Sequence, residues 1–412
     1  MSTGIYTTWS KIEFGVSLTV SYYTDIYISV GQCCRRTAEM QILHVSEPVY
    51  PVVQGGLGTH THQMANRQAK QGHEVTVLGT NDEATSVDPD AYAHTLVLKN
   101  ELFRLFGARV SVSALRWLRN HIDEYDIVHI HSHLFFTSNF ASFLNRFSSA
   151  PPLLATNHGT YANLHPVLAR SQFRLFGKPT YVWADKTICY NETAKEILTS
   201  VGVEDIEVVP NGINVDQFSP AEDRDITCGP IVWSGRMTER KGLFPTIKAM
   251  ARIVDDYPEL ELHLYGDGEQ RRKAEALVSE LCIEGNVQFK GFVPQEQLLD
   301  QLKHSRLYVA PTDEYTFGRG IMEAISCGIP TFSTNLPIDD ELGKAGIPIT
   351  RNPDSIAETI RAYLQDPAEL ESVAWRGRQI IKKNHNFTKH IDRVTKICEA
   401  MVADQSTTTN VV

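Results

Sequence analysis

Residues 231–254 read IVWSGRMTERKGLFPTIKAMARIV. A short apolar run, Ile231–Ser234, leads into a loop bounded by Gly235 and Gly242. Leu243, Ile247, Met250, Ala251 and Val254 then fall on one helical face. A buried strand, a tight loop and an amphipathic helix make the repeating unit of a parallel α/β sheet. The alternation continues on both sides. Upstream, short apolar runs predict strands at Ile42–Val45, Glu74–Leu78, Ile127–Ile130, Leu153–Thr156, Thr187–Cys189 and Glu207–Val209. Downstream they predict strands at Glu261–Tyr265, Val287–Lys290, Leu307–Ala310 and Thr331–Ser333, with helical spacing again over Ser355–Gln365. Two such series, joined around Pro210–Pro220, predict two similar, doubly wound α/β domains. Ligands of open parallel sheets bind at the carboxyl ends of the strands, so the chemistry is expected in the loops there.

The chain has 412 residues, enough for two or three domains at roughly 150 residues each. Hydrophobic residues make up 42% and charged residues 21%, ordinary globular usage that excludes a disordered chain. No apolar run reaches the roughly 20 residues of a membrane span. Lys+Arg 39 against Asp+Glu 49 gives a net charge of −10, which argues against broad nucleic-acid binding. Positive charge for an anionic ligand must therefore be local. The seven cysteines (Cys33, Cys34, Cys189, Cys228, Cys282, Cys327, Cys398) form no C-x-x-C pair and read as reduced thiols in a cytoplasm. Residues 1–39 are rich in Ser, Thr, Tyr and Val. Glu13 and Asp25 interrupt any signal-like apolar stretch, and Arg35-Arg36 fall at the wrong end for one. The working domain is expected to begin near Met40, behind an extension that is disordered or due to an over-called start.

No G-x-G-x-x-G follows a strand and no G-x4-G-K-[ST] occurs, so neither a dinucleotide nor a P-loop site is expected. Gly55-Gly56-Leu57-Gly58-Thr59 follows the first strand, where glycines admit a ligand to the backbone of a helix start; a plain turn would read the same. Gly235–Gly242 places Arg236 and Lys241 at a strand's carboxyl end beside a helix start, a diphosphate site that needs no metal. A solvated basic turn is the alternative, but such concentration in an acidic chain favours function. Phe317–Ala324 carries a Gly-containing loop into an apolar helix, with Glu323 in its first turns. Pattern alone reads that glutamate as a helix-dipole residue. His158, in Asn157-His158-Gly159-Thr160, stands at a strand tip. His129, His131 and His133 share one strand face at metal-ligand spacing, but no Asp or Glu partner is adjacent. They are expected to line a strand end and cleft wall, and no metal or other cofactor is assigned. Leu102–His121, with Arg104, Arg109, Arg116 and Arg119, and Gln172–Lys186, with Arg174 and Lys178, could touch an anionic membrane or acidic acceptor. Helices packed on a sheet with a basic outer face are the favoured reading.

In order along the chain, these pieces resemble family 4 of the retaining glycosyltransferases. The matching text is the Gly55–Gly58 loop, HEVTVL (His73–Leu78), DIVHIHS (Asp126–Ser132), TNHGT (Thr156–Thr160) and VVPNGINVDQFSP (Val208–Pro220). SGRMTERKG (Ser234–Gly242), LHLYGDG (Leu262–Gly268), VQFKGFVP (Val287–Pro294) and APTDEYTFGRGIMEAISCGIP (Ala310–Pro330) follow. The resemblance implies the GT-B fold: two Rossmann-like, doubly wound domains facing a cleft, at 40–218 (acceptor) and 219–380 (donor). A final helix, 381–405, would cross back to the first domain. It implies transfer of a hexosyl-type sugar from a UDP-, GDP- or ADP-sugar to a glycan, lipid-linked or small-molecule acceptor. Arg236 and Lys241 would hold the diphosphate, Glu323 the ribose, and His158 would sit against the sugar. Backbone amides of Phe317, Gly318, Arg319, Gly320 and Ile321 would meet phosphate and sugar, with Gly55, Gly56, Gly58 and Gly266 beside the donor. The enzyme would be cytoplasmic, with peripheral contact at the inner membrane face.

One position departs from the family. Its E-x7-E pair would put a glutamate at 315, where this chain has Tyr315; Glu314 is one place off. Either residue could take over the sugar contact, or transfer is weakened and the protein serves as a binding or regulatory subunit. Arg319 stands where the family usually has an aliphatic residue and is expected to contact a donor phosphate or an acidic sugar. A metal-dependent hydrolase built on His129, His131 and His133 is the third hypothesis.

Overall fold

The computed structural model describes residues 40–47, 56–81, 93–99, 104–105, 108–148, 150–159, 166–313, 318–334, 336 and 341–409. The extension 1–39, Gly55, Glu314, Tyr315 and Phe317 lie outside the described residues.

Two parallel sheets form. The first contains β1 (Gln41–Val45), β2 (Glu74–Asn81), β3 (His94–Lys99), β4 (Ile127–His131), β5 (Leu153–Thr156), β6 (Lys186–Cys189) and β7 (Ile206–Val208). Its seven strands run in the order β3-β2-β1-β4-β5-β6-β7. The second contains β8 (Ile231–Ser234), β9 (Leu262–Tyr265), β10 (Val287–Gly291), β11 (Leu307–Ala310), β12 (Thr331–Ser333) and β13 (Ile347–Pro348). Its six strands run β10-β9-β8-β11-β12-β13. In each sheet the order reverses beside the first strand, which opens a crevice at the carboxyl ends. The central strands are buried on both faces, as helix-covered parallel strands must be, so they read as short, mainly apolar runs, with His129 and His131 the buried polar residues of β4.

The structure departs from the periodicity at the sheet edges. β3 and β13 are not predicted by any apolar run: the first holds only three consecutive apolar residues, Leu96-Val97-Leu98, between polar ends, and the second is two residues long. Leu102–His121 is not one helix. Arg104–Leu105 pairs antiparallel with Ala108–Arg109, and the helix starts at Val112, where Ser111 Oγ accepts the Ala114 N–H. Within Gln172–Lys186, a π-helical turn over Phe173–Gly177 precedes a short helix, Lys178–Val182. Among the described residues, the five cysteines are free and no helix is long and apolar enough to cross a membrane.

Five helices matter for the cleft: α1 (Gly56–Lys70), α2 (Leu243–Ile253), α3 (Gln295–Lys303), α4 (Arg319–Ser326) and α5 (Phe387–Thr409). α5 returns to the first sheet. Ile391, Val394, Ile397, Cys398 and Met401 join the core of Ile42, Val75 and Ile127. Full burial of each large aliphatic side chain contributes about 1.5–3 kcal/mol. Arg67 of α1 grips Asp392 of α5 with two bonds, Nε at 3.0 Å and Nη2 at 3.1 Å. The chain's two passages between the sheets run side by side. The Ile213 N–H donates to His385 O (2.7 Å), and the Phe387 N–H donates to Ile213 O (2.9 Å). Gly212 permits that approach, since a Cβ there would lie 2.6 Å from Phe387 Cα.

Candidate active site

A cleft of about 1440 Å³ lies between the carboxyl end of the second sheet and α1 of the first domain. The loop after β8 forms one wall. Its shape is set by the backbone: Gly235 N–H donates to Tyr265 O at 3.0 Å and Met237 N–H to Asp267 O at 2.9 Å, with the Met237 side chain buried as an anchor. Trp233 Nε1 donates to Lys241 O at 3.0 Å and fixes the far end. Arg236 and Lys241 both line the cleft, with Arg236 exposed to it. The loop closes on Gly242, whose φ of +74° suits glycine and whose missing Cβ leaves room for Pro311 O.

Gly266 packs under that loop with φ +118°, and a Cβ would fall 2.0 Å from Gly235 O. Gly266→Ala is therefore expected to cost about 1–3 kcal/mol of stability from backbone strain alone. Because relief must displace Gly235, donor KM should rise by at least about tenfold, an affinity loss of about 1.4 kcal/mol. Thermal unfolding and donor titration of the variant check both.

α4 forms the opposite wall. Its N-terminal turn has no side-chain cap, and Gly318, Arg319, Gly320 and Ile321 line the cleft, so its free N–H groups and dipole meet whatever binds there. Gly320 passes the buried Tyr308 hydroxyl, which a Cβ would approach to 2.8 Å. Glu323 is 6% exposed. Its Oε1 accepts from Arg319 Nε at 2.8 Å and from Gln295 Nε2 at 3.3 Å. Burial pushes the Glu323 carboxyl above the usual range, and the Arg319 charge opposes that. Arg319 also reaches across the cleft: its Nη1 lies 3.5 Å from Gly56 O at the start of α1.

The structure thus brings Arg236, Lys241, Gly266, Gly318, Arg319, Gly320, Ile321, Glu323 and Gly56 onto one cleft. Gly58 is buried within the first turn of α1. His158 does not line the cleft. It stands at the end of β5, its Nδ1 2.8 Å from the Tyr190 hydroxyl and its Nε2 3.2 Å from His131 Nδ1. Burial holds its pKa down at about 3, so the ring is neutral. His133 leaves the line of its neighbours: its Nδ1 meets the Tyr181 hydroxyl at 3.0 Å. Three hydrolase ligands on one strand are therefore not presented to the cleft. Gln295 was not legible as a site residue. It precedes Glu323 by 28 residues, and its position just after Val287–Pro294 was the available signal.

Residues 54–217 match the family model Glycosyltransferase Family 4, and residues 228–380 match Glycosyl transferases group 1. The chain belongs to glycosyltransferase family 4. Among curated relatives of this family 4 protein, glycogen synthase of Mycobacterium tuberculosis is 26% identical over 390 residues, covering 84% of this chain and 92% of the relative. D-inositol 3-phosphate glycosyltransferase of Streptomyces avermitilis is 25% identical over 358 residues, covering 76% of each chain. Among solved structures, sucrose-phosphate synthase from Thermosynechococcus elongatus superposes with a TM-score of 0.74 at 19% identity, covering 89% of this chain and 100% of that one. Anabaena HepE in complex with UDP and glucose gives 0.70 at 17% identity, over 88% and 100%. The family 4 enzyme has the GT-B fold and is a retaining, nucleotide-sugar-dependent glycosyltransferase.

Proposed function

We propose that this enzyme moves a hexosyl unit from a UDP-, GDP- or ADP-sugar to a hydroxyl of a glycan, lipid-linked or small-molecule acceptor. Residues 40–218 would present the acceptor, 219–380 the donor, and 381–405 would tie the two together. The observation that carries this reading is the shared cleft: two cations, an uncapped helix start and a buried carboxylate face one space large enough for a nucleotide sugar.

The chemistry follows from charge. Breaking the sugar–phosphate bond leaves negative charge on the diphosphate and positive charge on the anomeric carbon. Arg236, Lys241 and the N–H groups of α4 stabilise the diphosphate as that charge develops. Glu323 accepts two ribose hydroxyls, and its carboxylate is kept ready by Arg319. His158, outside the open cleft, would sit against the sugar only once the two domains close on the donor. The acceptor enters on the leaving group's face, where a diphosphate oxygen takes its proton. Phe143 and Phe147, 45% and 62% exposed, extend towards Trp183 on the first domain near Arg146, and this apolar, basic face supports peripheral contact with an anionic membrane.

A panel of UDP-, GDP- and ADP-sugars, scored by thermal shift and nucleotide release, tests the proposal. Acceptor-dependent release from one donor supports transfer. Binding of a donor with no release under any acceptor supports the alternative of a binding or regulatory protein, with Tyr315 as its cause; Tyr315→Glu should then restore release. Arg319→Leu should raise donor KM about tenfold or more. It leaves a buried carboxylate without its cation, so Glu323 holds its proton to higher pH and the defect shrinks as pH rises. An unchanged KM and pH profile would show that Arg319 has no part in donor binding.

A further inference from the structure

Beneath the cleft, three histidines meet on the face of the first sheet covered by α1 and α5. His44 of β1 stands beside His129 of β4 in the parallel register, and His131 follows two residues on. All three are fully buried. One ring nitrogen from each lies within 4.8 Å of the others. His129 Nε2 is 2.7 Å from Thr156 Oγ1, while its buried Nδ1 has no hydrogen-bond partner. An unsatisfied buried nitrogen is costly, and it points to a missing ligand.

The surrounding bonds fix the protons. Gln68 Nε2 donates to Thr395 Oγ1 at 3.3 Å, so Gln68 Oε1 faces His44 Nε2 at 2.7 Å and accepts from it. His44 Nδ1 is then a bare lone pair, aimed at His131 Nε2 2.9 Å away. Both atoms are suited to ligate, and the Gln68 bond is the outer support that metal-bound imidazoles require.

We propose that His44, His129 and His131 form a binding site for a d10 cation that prefers imidazole nitrogen, Zn²⁺ or Cu⁺. Such ions have no electronic demand for a fixed geometry and tolerate three neutral nitrogens with a fourth position left over. The site joins β1 to β4 behind the cleft. It also couples to His158 at the end of β5, through the 3.2 Å contact from His131 Nδ1. With an ion on His131 Nε2, the His131 proton moves to Nδ1 and donates to His158 Nε2. His158 then carries its own proton on Nδ1 and donates to Tyr190. No net proton is released, and the direction of that chain is reversed.

The test uses the full chain, stripped with chelator in mild denaturant and returned to buffer with zinc chloride, or with Cu⁺ under anaerobic reducing conditions. Elemental analysis should find one ion per chain in one arm, with a Tm rise of about 5 °C at saturation. Cobalt(II) in the same protein should give the visible bands of a nitrogen-ligated tetrahedral ion. His44→Gln and His129→Gln should lose the ion, the shift and the bands. His133→Gln, whose ring turns to Tyr181, should keep them. Absence of stoichiometric uptake in both arms, or uptake by the His44 and His129 variants equal to wild type, overturns the site. If those variants do not fold, the wild-type cobalt spectrum decides: tetrahedral bands support the site, and the spectrum of the hydrated ion overturns it.

Discussion

Arg236→Ala and Lys241→Ala should each lower kcat/KM for the donor by about 10²–10³, or 2.7–4 kcal/mol of transition-state stabilisation. The effect is large because the diphosphate gains charge as the sugar leaves, and these cations sit on the loop that receives it. Arg236 is exposed in the open cleft, so its removal should change stability by less than about 0.5 kcal/mol. That contrast separates a chemical role from a structural one. Steady-state kinetics beside thermal unfolding measures it. Full activity in both variants would remove this loop from the donor site.

The second large effect concerns acid. Burial lowers the pKa of His44 and His390 to about 4, and of His133 and His158 to about 3. His60, His129 and His131 are held well below the usual value by burial and by one another. Folded-state values lie below the unfolded value of 6.5. The unfolded chain therefore binds more protons as soon as pH falls below 6.5, and stability falls with pH. The full contribution is present above 6.5 and is lost on the way down to 4 and below. Each group adds a slope of up to about 1.4 kcal/mol per pH unit. Glu323, raised by burial, works in the opposite sense, but it is one group against seven. The metal-stripped protein should take up about six protons on unfolding at pH 5.5. Urea midpoints between pH 7.5 and 5 give that number. A slope equal to one proton or fewer would show that these rings are not held neutral.

Much of the fold is legible in local pattern. Parallel strands buried on both faces are mainly apolar, which made Ile231–Ser234, Leu307–Ala310 and their counterparts legible. Edge strands escape this rule, and His94–Lys99 and Ile347–Pro348 were missed for that reason. The last helix was legible because Ile391, Val394, Ile397, Cys398 and Met401 keep one face, and that face is buried in the first domain's core. The basic loop was legible through its charge, whereas Glu323 read from pattern as a helix-dipole residue and entered the site only through the family resemblance.

What the sequence alone determined, then, was the two-sheet architecture, the family, and which loops carry cations. These rest on periodicity and on residues close together in the chain. Tertiary structure alone decided the partners. Arg319 ties Glu323 to Gly56, 263 residues away, and Gln295 reaches the same carboxylate. His44 replaces His133 in the histidine cluster because strand order places β1 beside β4, while the backbone beyond β4 turns His133 towards Tyr181. Alternation along one strand tells which side chains share a face. Only the pairing of strands and helices tells which other residues share it with them.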